Sequence, residues 1–253
     1  MIAIEQEHIE NIPTLVIHPN ESRKEQLPVV IYFHGFTSAK EQNLAQAYML
    51  ANEGFRVLLP DSYHHGDRRE TEDVNKIQFD FWKIVSQNLE DLLRMKTWLE
   101  QQQLLHKGRI GIAGTSMGGI TVSAALTKFE WVRSAGIMMG TTKLVEMAQY
   151  LLKGIESQGI EIPLTENEIS EQLKGLESID LSNQLDRLNN RPLFVWHGEA
   201  DQVVPFEHSK TFAEQMKNSY PENEFKFISE PNRDHKVSRE AMLLLRDWFK
   251  RHL

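Results

Sequence analysis

No cysteine occurs in the 253 residues. That excludes disulfides, thiolate metal sites and a cysteine nucleophile, and it suits a reducing cytoplasm, which is the expected location. An excess of positive charge is lacking too: 28 Lys and Arg stand against 36 Asp and Glu, a formal net charge of −8. An acidic chain with dispersed basic residues grips a phosphate backbone or an anionic membrane poorly, so neither nucleic acid nor membrane is an expected partner. Long apolar runs are missing. The longest uncharged stretch, 110–127, is broken by Gly111, Gly114, Gly118 and Gly119 and reads as strand, turn and helix rather than a membrane span. The first residues, Met1 to Glu7, have no basic start and no apolar centre, so a secretory signal is not expected. Internal repeats and low-complexity linkers are absent as well.

What is present is an alternation. Ile12–Ile17 reads as a strand hairpinned with Ile2–Ile9. Pro28–Phe33 is a short apolar run of the kind buried on both faces of a parallel sheet. Ser38 and Glu41 have capping-box spacing and predict a helix closing near Gly54. Phe55–Leu59, Arg109–Ala113, Ser134–Met139, Pro192–Trp196 and Phe225–Ile228 follow as strands. Helical spacing recurs at Leu89–Leu99, with its close at Gly108, and again at Ile120–Leu126, from Pro205 to about Asn218, and over Ser238–Leu253. Strands alternating with helices predict one α/β domain over residues 1–253, a mostly parallel sheet flanked by helices. The stretch 141–190 breaks the rhythm with helical apolar spacing and a second capping box, Thr165 to Glu168. It reads as a small helical lid inserted in the domain.

Gly114-Thr115-Ser116-Met117-Gly118 matches G-x-S-x-G. Chance gives that pattern in roughly one chain of this length in ten, so its setting decides. It lies between a predicted buried strand and a predicted helix, where a nucleophile elbow must be. The turn would lift the Ser116 hydroxyl above the sheet and leave the Met117 amide at a helix N-terminus, able to donate to an oxyanion. The loop after Pro28–Phe33 supplies His34-Gly35-Phe36, and the Phe36 N–H is the candidate second donor. His34 reads as a structural histidine shaping that turn.

An acid is expected after a later strand, where Trp196-His197-Gly198-Glu199-Ala200-Asp201 offers Glu199 and Asp201. Asp201, further into the loop, is preferred. A base is expected after the last strand, where His235 follows Asp234, a poor orienter because it is the adjacent residue. His208 falls inside a helix and reads as a surface residue. The order Ser116, Asp201, His235, each at a strand's C-terminal end, is the order of an α/β-hydrolase triad. His64-His65-Gly66-Asp67 gathers three ligand types, but adjacent histidines on an extended chain point apart and no distant set completes a metal site. His65 and Tyr63 are candidates to line the pocket. Phe79, Phe81 and Trp82 are core residues that could border an acyl site.

Taken with Phe33–Ser38, Leu59-Pro60-Asp61 before His65-Gly66, Gly114–Gly119, Trp196–Asp201 with Val204-Pro205, and Asp234-His235, the chain resembles small bacterial carboxylesterases. These are of the YitV/YjfP type, in the dienelactone-hydrolase and prolyl-oligopeptidase-like branch of the α/β hydrolases. The resemblance runs from about Ile12 to the end. It implies a cofactor-free esterase that uses Ser116, Asp201 and His235 with Phe36 and Met117 as backbone donors; no metal is expected, on the residues themselves. Dienelactone hydrolases proper use cysteine where this chain has serine, and prolyl oligopeptidases carry a propeller that it lacks. The expected reaction is hydrolysis of small to medium acyl esters through an acyl-enzyme. A peptidase or thioesterase on the same triad, or a non-catalytic binding module of this fold, are the alternatives. Oligomeric state is not legible.

Overall fold

A computed structural model describes residues 1–70 and 77–253. Strands β1 (Ile2–Ile9) and β2 (Ile12–Pro19) form an antiparallel hairpin. Its two turn residues, Glu10 and Asn11, both have positive φ, the backbone that matches the twist of paired strands. Six further strands follow: β3 (Leu27–Phe33), β4 (Arg56–Pro60), β5 (Leu105–Thr115), β6 (Val132–Met138), β7 (Leu193–Gly198) and β8 (Phe225–Glu230). The sheet order is β1-β2-β4-β3-β5-β6-β7-β8, and every pairing from β4 through β8 is parallel. The central strands carry buried apolar runs, such as Val29–Phe33 and Val57–Leu59, because helices cover both faces.

On one face lie α1 (Leu44–Ala51) and α7 (Arg239–His252), which bury Leu50, Leu245 and Phe249. The other face carries α2 (Phe81–Gln101), α3 (Met117–Lys128) and α6 (Phe206–Ser219), with Leu92, Ile120 and Phe212 in a second core. Between β6 and β7 the chain forms α4 (Leu144–Ser157) and α5 (Glu166–Glu177), two short 3-10 turns and no strand. Thr165 and Glu168 cap α5 reciprocally, as their spacing predicts.

Two local expectations are corrected. The Ser38–Glu41 capping box does not form: a 3-10 turn begins at Lys40, α1 at Leu44, and no side chain caps either. Glu41 is drawn instead to the Lys40 ammonium at 3.0 Å, and the Lys40 N–H is taken by Asp61 Oδ1 at 2.9 Å. The long helix α2 stops at Gln101, well before Gly108, because β5 begins early, pairing Leu105 with Leu27. Lys107 and Gly108, both at positive φ, lie within that strand.

Candidate active site

Strand β5 ends at Thr115 and α3 starts at Met117, so Ser116 alone makes the turn. Its φ is 55° and ψ −116°, a conformation costing of order 1–3 kcal/mol that persists only where surroundings over-determine it. Here Ser116 N–H donates to Met138 O at 2.9 Å and Ile120 N–H donates to Ser116 O at 3.0 Å. The flanking glycines are required by space. A Cβ on Gly114 would stand 2.3 Å from the Gly118 backbone, and one on Gly118 would stand 2.1 Å from Phe33 O.

His235 comes to this serine from the loop after β8, 119 residues along the chain. Its Nε2 lies 2.9 Å from Ser116 Oγ and its Nδ1 lies 2.6 Å from Asp201 Oδ2. A carboxylate accepts only, so Nδ1 carries the proton and Nε2 is free to accept from the hydroxyl. Asp201, in the loop after β7, has a fully buried side chain. Its Oδ1 accepts the Val203 and Val204 amides at 2.8 and 3.0 Å. Burial pushes its carboxyl up, but the hydrogen bonds from His197, His235 and Val204 together outweigh burial and hold it below the ordinary carboxylate range. Glu199, the other acid considered, turns away and accepts from Ser229 Oγ at 2.7 Å on the surface.

His197 is a member of this site to which the sequence reading assigned no role. Its buried ring sits 3.3 Å from Asp201 Oδ2 through Nε2, which is also 3.0 Å from Val204 O. Nδ1 lies 2.8 Å from Ser209 Oγ. A carbonyl at Nε2 fixes the tautomer, so His197 donates towards the acid loop and accepts from Ser209. The only signal for it was its place in Trp196–Asp201, four residues before the acid.

Gly35 packs on the nucleophile: a Cβ there would lie 3.5 Å from Ser116 Cβ. Among the described residues the adjacent Phe36 N–H has no acceptor. Met117, as the first residue of α3, has an N–H that the helix cannot satisfy. His34 is buried, with Nδ1 2.7 Å from Gly35 O and Nε2 accepting the Ser62 amide at 3.0 Å. Burial lowers its pKa to about 4, so it is a neutral brace of the turn.

A cavity of about 380 Å³ opens beside Ser116 and His235, bordered by Tyr32, Phe36, Gln42, Met139 and Met242. His65 and Tyr63, expected as candidates to line the pocket, are not among the residues that border this cavity. The His65 ring is buried behind the loop that carries Phe36, and Tyr63 packs against His64 at 3.8 Å between ring centres. His64 faces Asp80 at 3.3 Å while His65 faces Thr37 at 2.9 Å. Among the described residues, no group of three or more His, Asp or Glu could hold a metal ion. His208 is buried rather than on the surface, because α6 turns it inward to 3.3 Å from Thr141 Oγ1. Phe81 meets Phe36 at 5.7 Å between ring centres and, with Phe79 and Trp82, borders a separate apolar cavity against α4 and α5. Among the described residues, no helix is long and apolar enough to cross a membrane.

Known proteins share this architecture. The family model described as the prolyl oligopeptidase family matches residues 42–253. The protein named "Putative esterase YitV" of Bacillus subtilis (strain 168) is 44% identical over the full length of both chains. The esterase YjfP of Escherichia coli (strain K12) is 28% identical, again over both full lengths. The crystal structure of TT1662 from Thermus thermophilus superposes with a TM-score of 0.76 at 17% identity, covering 99% of this chain and 98% of that one. The fold is that of the α/β hydrolases, and the chain belongs to the prolyl oligopeptidase family, as an enzyme of the serine-hydrolase class.

Proposed function

We propose that the protein hydrolyses small to medium carboxylic esters through an acyl-enzyme on Ser116. The observation that carries this reading is the Ser116–His235–Asp201 relay, with both hydrogen bonds at 2.9 Å or shorter. His235 takes the hydroxyl proton at Nε2 while Ser116 Oγ attacks the ester carbonyl, and Asp201 holds the imidazole tautomer and balances the charge that develops. The Phe36 and Met117 amides receive the oxyanion, each such donor being worth typically ~10²–10³ in turnover. His235 then protonates the leaving alcohol, and water activated by the same nitrogen releases the acid. A cavity of about 380 Å³ suits a small ester. The esterase names of the two full-length relatives favour esters over peptides.

In the same reading, 141–190 acts as a cap that tunes acyl preference. It reaches the acid loop directly, where Tyr150 Oη donates to Gln202 O at 3.0 Å. The test is a fluorophosphonate probe together with p-nitrophenyl esters of rising chain length, run beside peptide anilides and acyl thioesters. Labelling lost in Ser116→Ala and fastest turnover on short to medium esters are expected. Undiminished labelling in that variant, or preference for an anilide, would contradict the reading.

A further inference from the structure

Two loops far apart in the sequence, 34–40 and 61–67, are joined rung by rung. Ser62 N–H donates to His34 Nε2 at 3.0 Å, Thr37 N–H to His65 Nε2 at 2.9 Å, and Lys40 N–H to Asp61 Oδ1 at 2.9 Å. The Lys40 ammonium closes the same end, 2.7 Å from Asp61 Oδ2 and 2.8 Å from Asp67 Oδ2. Thr37 is the rung under strain. Its φ is +64°, a left-handed backbone that a β-branched residue keeps only when its surroundings hold it there. The His65 ring supplies that hold. Its Nδ1 lies 2.8 Å from Tyr63 O. A carbonyl can only accept, so the proton sits on Nδ1 and Nε2 is the acceptor for Thr37.

The 61–67 segment is bent to present this ring. His64 and Gly66 have φ of +61° and +51°, and a Cβ on Gly66 would stand 2.0 Å from Asp61 Oδ1. Phe36, next to Thr37, packs its ring edge-on to His65 at 5.3 Å.

We propose that His65 is a positioning residue whose neutral, Nδ1-protonated imidazole holds Thr37, and through it the Phe36 amide, in the attitude that receives the oxyanion. The inference rests on the reading of Phe36 N–H as an oxyanion donor. A proton on Nε2 would set N–H against N–H and release the loop. Burial, first of all, keeps the ring neutral, and His64 and Arg69 act in the same direction against Asp61 and the Tyr63 carbonyl.

The experiment compares wild type, His65→Leu and His65→Gln on p-nitrophenyl butyrate, with kcat expressed per serine titrated to completion by a fluorophosphonate. In His65→Leu, kcat per titrated serine falls by about 10²-fold with KM nearly unchanged, the scale of a misplaced catalytic group. His65→Gln, which keeps an acceptor oxygen, recovers part of the loss. A merely structural role would reduce the amount of titratable enzyme and leave kcat per serine intact, and that result overturns the proposal. Should His65→Leu not fold, histidine ¹⁵N spectra of wild type carry the test: an Nδ1–H tautomer at His65 near pH 7 is expected, and an Nε2–H tautomer or an imidazolium overturns it. Absence of any labelling in wild type would instead overturn the catalytic reading, and this inference with it.

Discussion

The loops that bring Ser116, Asp201 and His235 together and the helices α4 and α5 are built by different rules. In the loops, directional bonds fix each group: both oxygens of Asp201 are occupied, and the strained Ser116 backbone is bonded on both sides. In the insertion, apolar contact dominates. Leu151, Ile155, Ile169 and Leu173 face Phe81 and Trp82 across a narrow cavity, and α5 buries only Leu176. Chemistry needs atoms held within about half an ångström of their working positions. Packing through side-chain surfaces tolerates exchange of one apolar residue for another. On the proposed reading, reaction belongs to the loops and substrate range to the insertion.

The comparison is broken most severely at the loops. Ser116→Ala or His235→Ala is expected to lower kcat by about 10⁶-fold, since members of such a relay act as a unit. Asp201→Asn is expected to cost about 10⁴-fold, because the amide favours the wrong imidazole tautomer. Stopped-flow or long-incubation assays on one ester check both. If Asp201→Asn retained wild-type turnover, the acid would have to be another residue.

Acid sensitivity is the next effect in size. Burial lowers the proton affinity of His34, His65 and His208, with His34 at about 4. Each is neutral in the fold but protonates near its ordinary value when unfolded. Their contribution to stability is therefore full above about pH 6.5 and is lost as pH falls from there towards the folded values. Urea midpoints measured from pH 7.5 to 4.5 should fall, and His34→Asn should flatten the slope. An unchanged slope would remove His34 from the account.

Substitutions in the insertion sharpen the contrast with smaller effects. Leu151→Ala should shift the chain-length preference in an ester panel while leaving the fluorophosphonate-titratable fraction intact. Thr165→Ala removes the cap of α5 and should cost about 1 kcal/mol, read by hydrogen exchange in 166–177, with kcat on a short ester unchanged. A large fall in kcat from Thr165→Ala would show that the two regions are not separable.

The same division governs what the sequence reveals. The strand and helix alternation was legible because apolar periodicity is a local property. Ser116, Asp201 and His235 were legible because each follows a strand that a parallel sheet must end on one side. The Lys40–Asp61 pair and the placement of His65 were not legible, because their partners lie across loops, and which loops touch depends on how strands order in the sheet, which spacing does not encode. The failed capping box at Ser38–Glu41 is the clearest instance: local chemistry favoured a cap, but the Lys40 ammonium, held by the distant Asp61, draws the Glu41 carboxylate, and the Ser38 N–H donates to Gly35 O. His197 escaped for a different reason: its partners Asp201, Val204 and Ser209 are near in sequence, but only the folded turn between β7 and α6 brings them to its ring.

The central claim is that Ser116 carries the acyl group during turnover. Acid-quenched mass spectrometry of the enzyme working on p-nitrophenyl butyrate measures it directly. The account predicts a butyryl increment on the peptide containing Ser116, absent in Ser116→Ala and strongly reduced in His235→Ala. Ester turnover at the full rate in Ser116→Ala, or the increment on another residue, would contradict it.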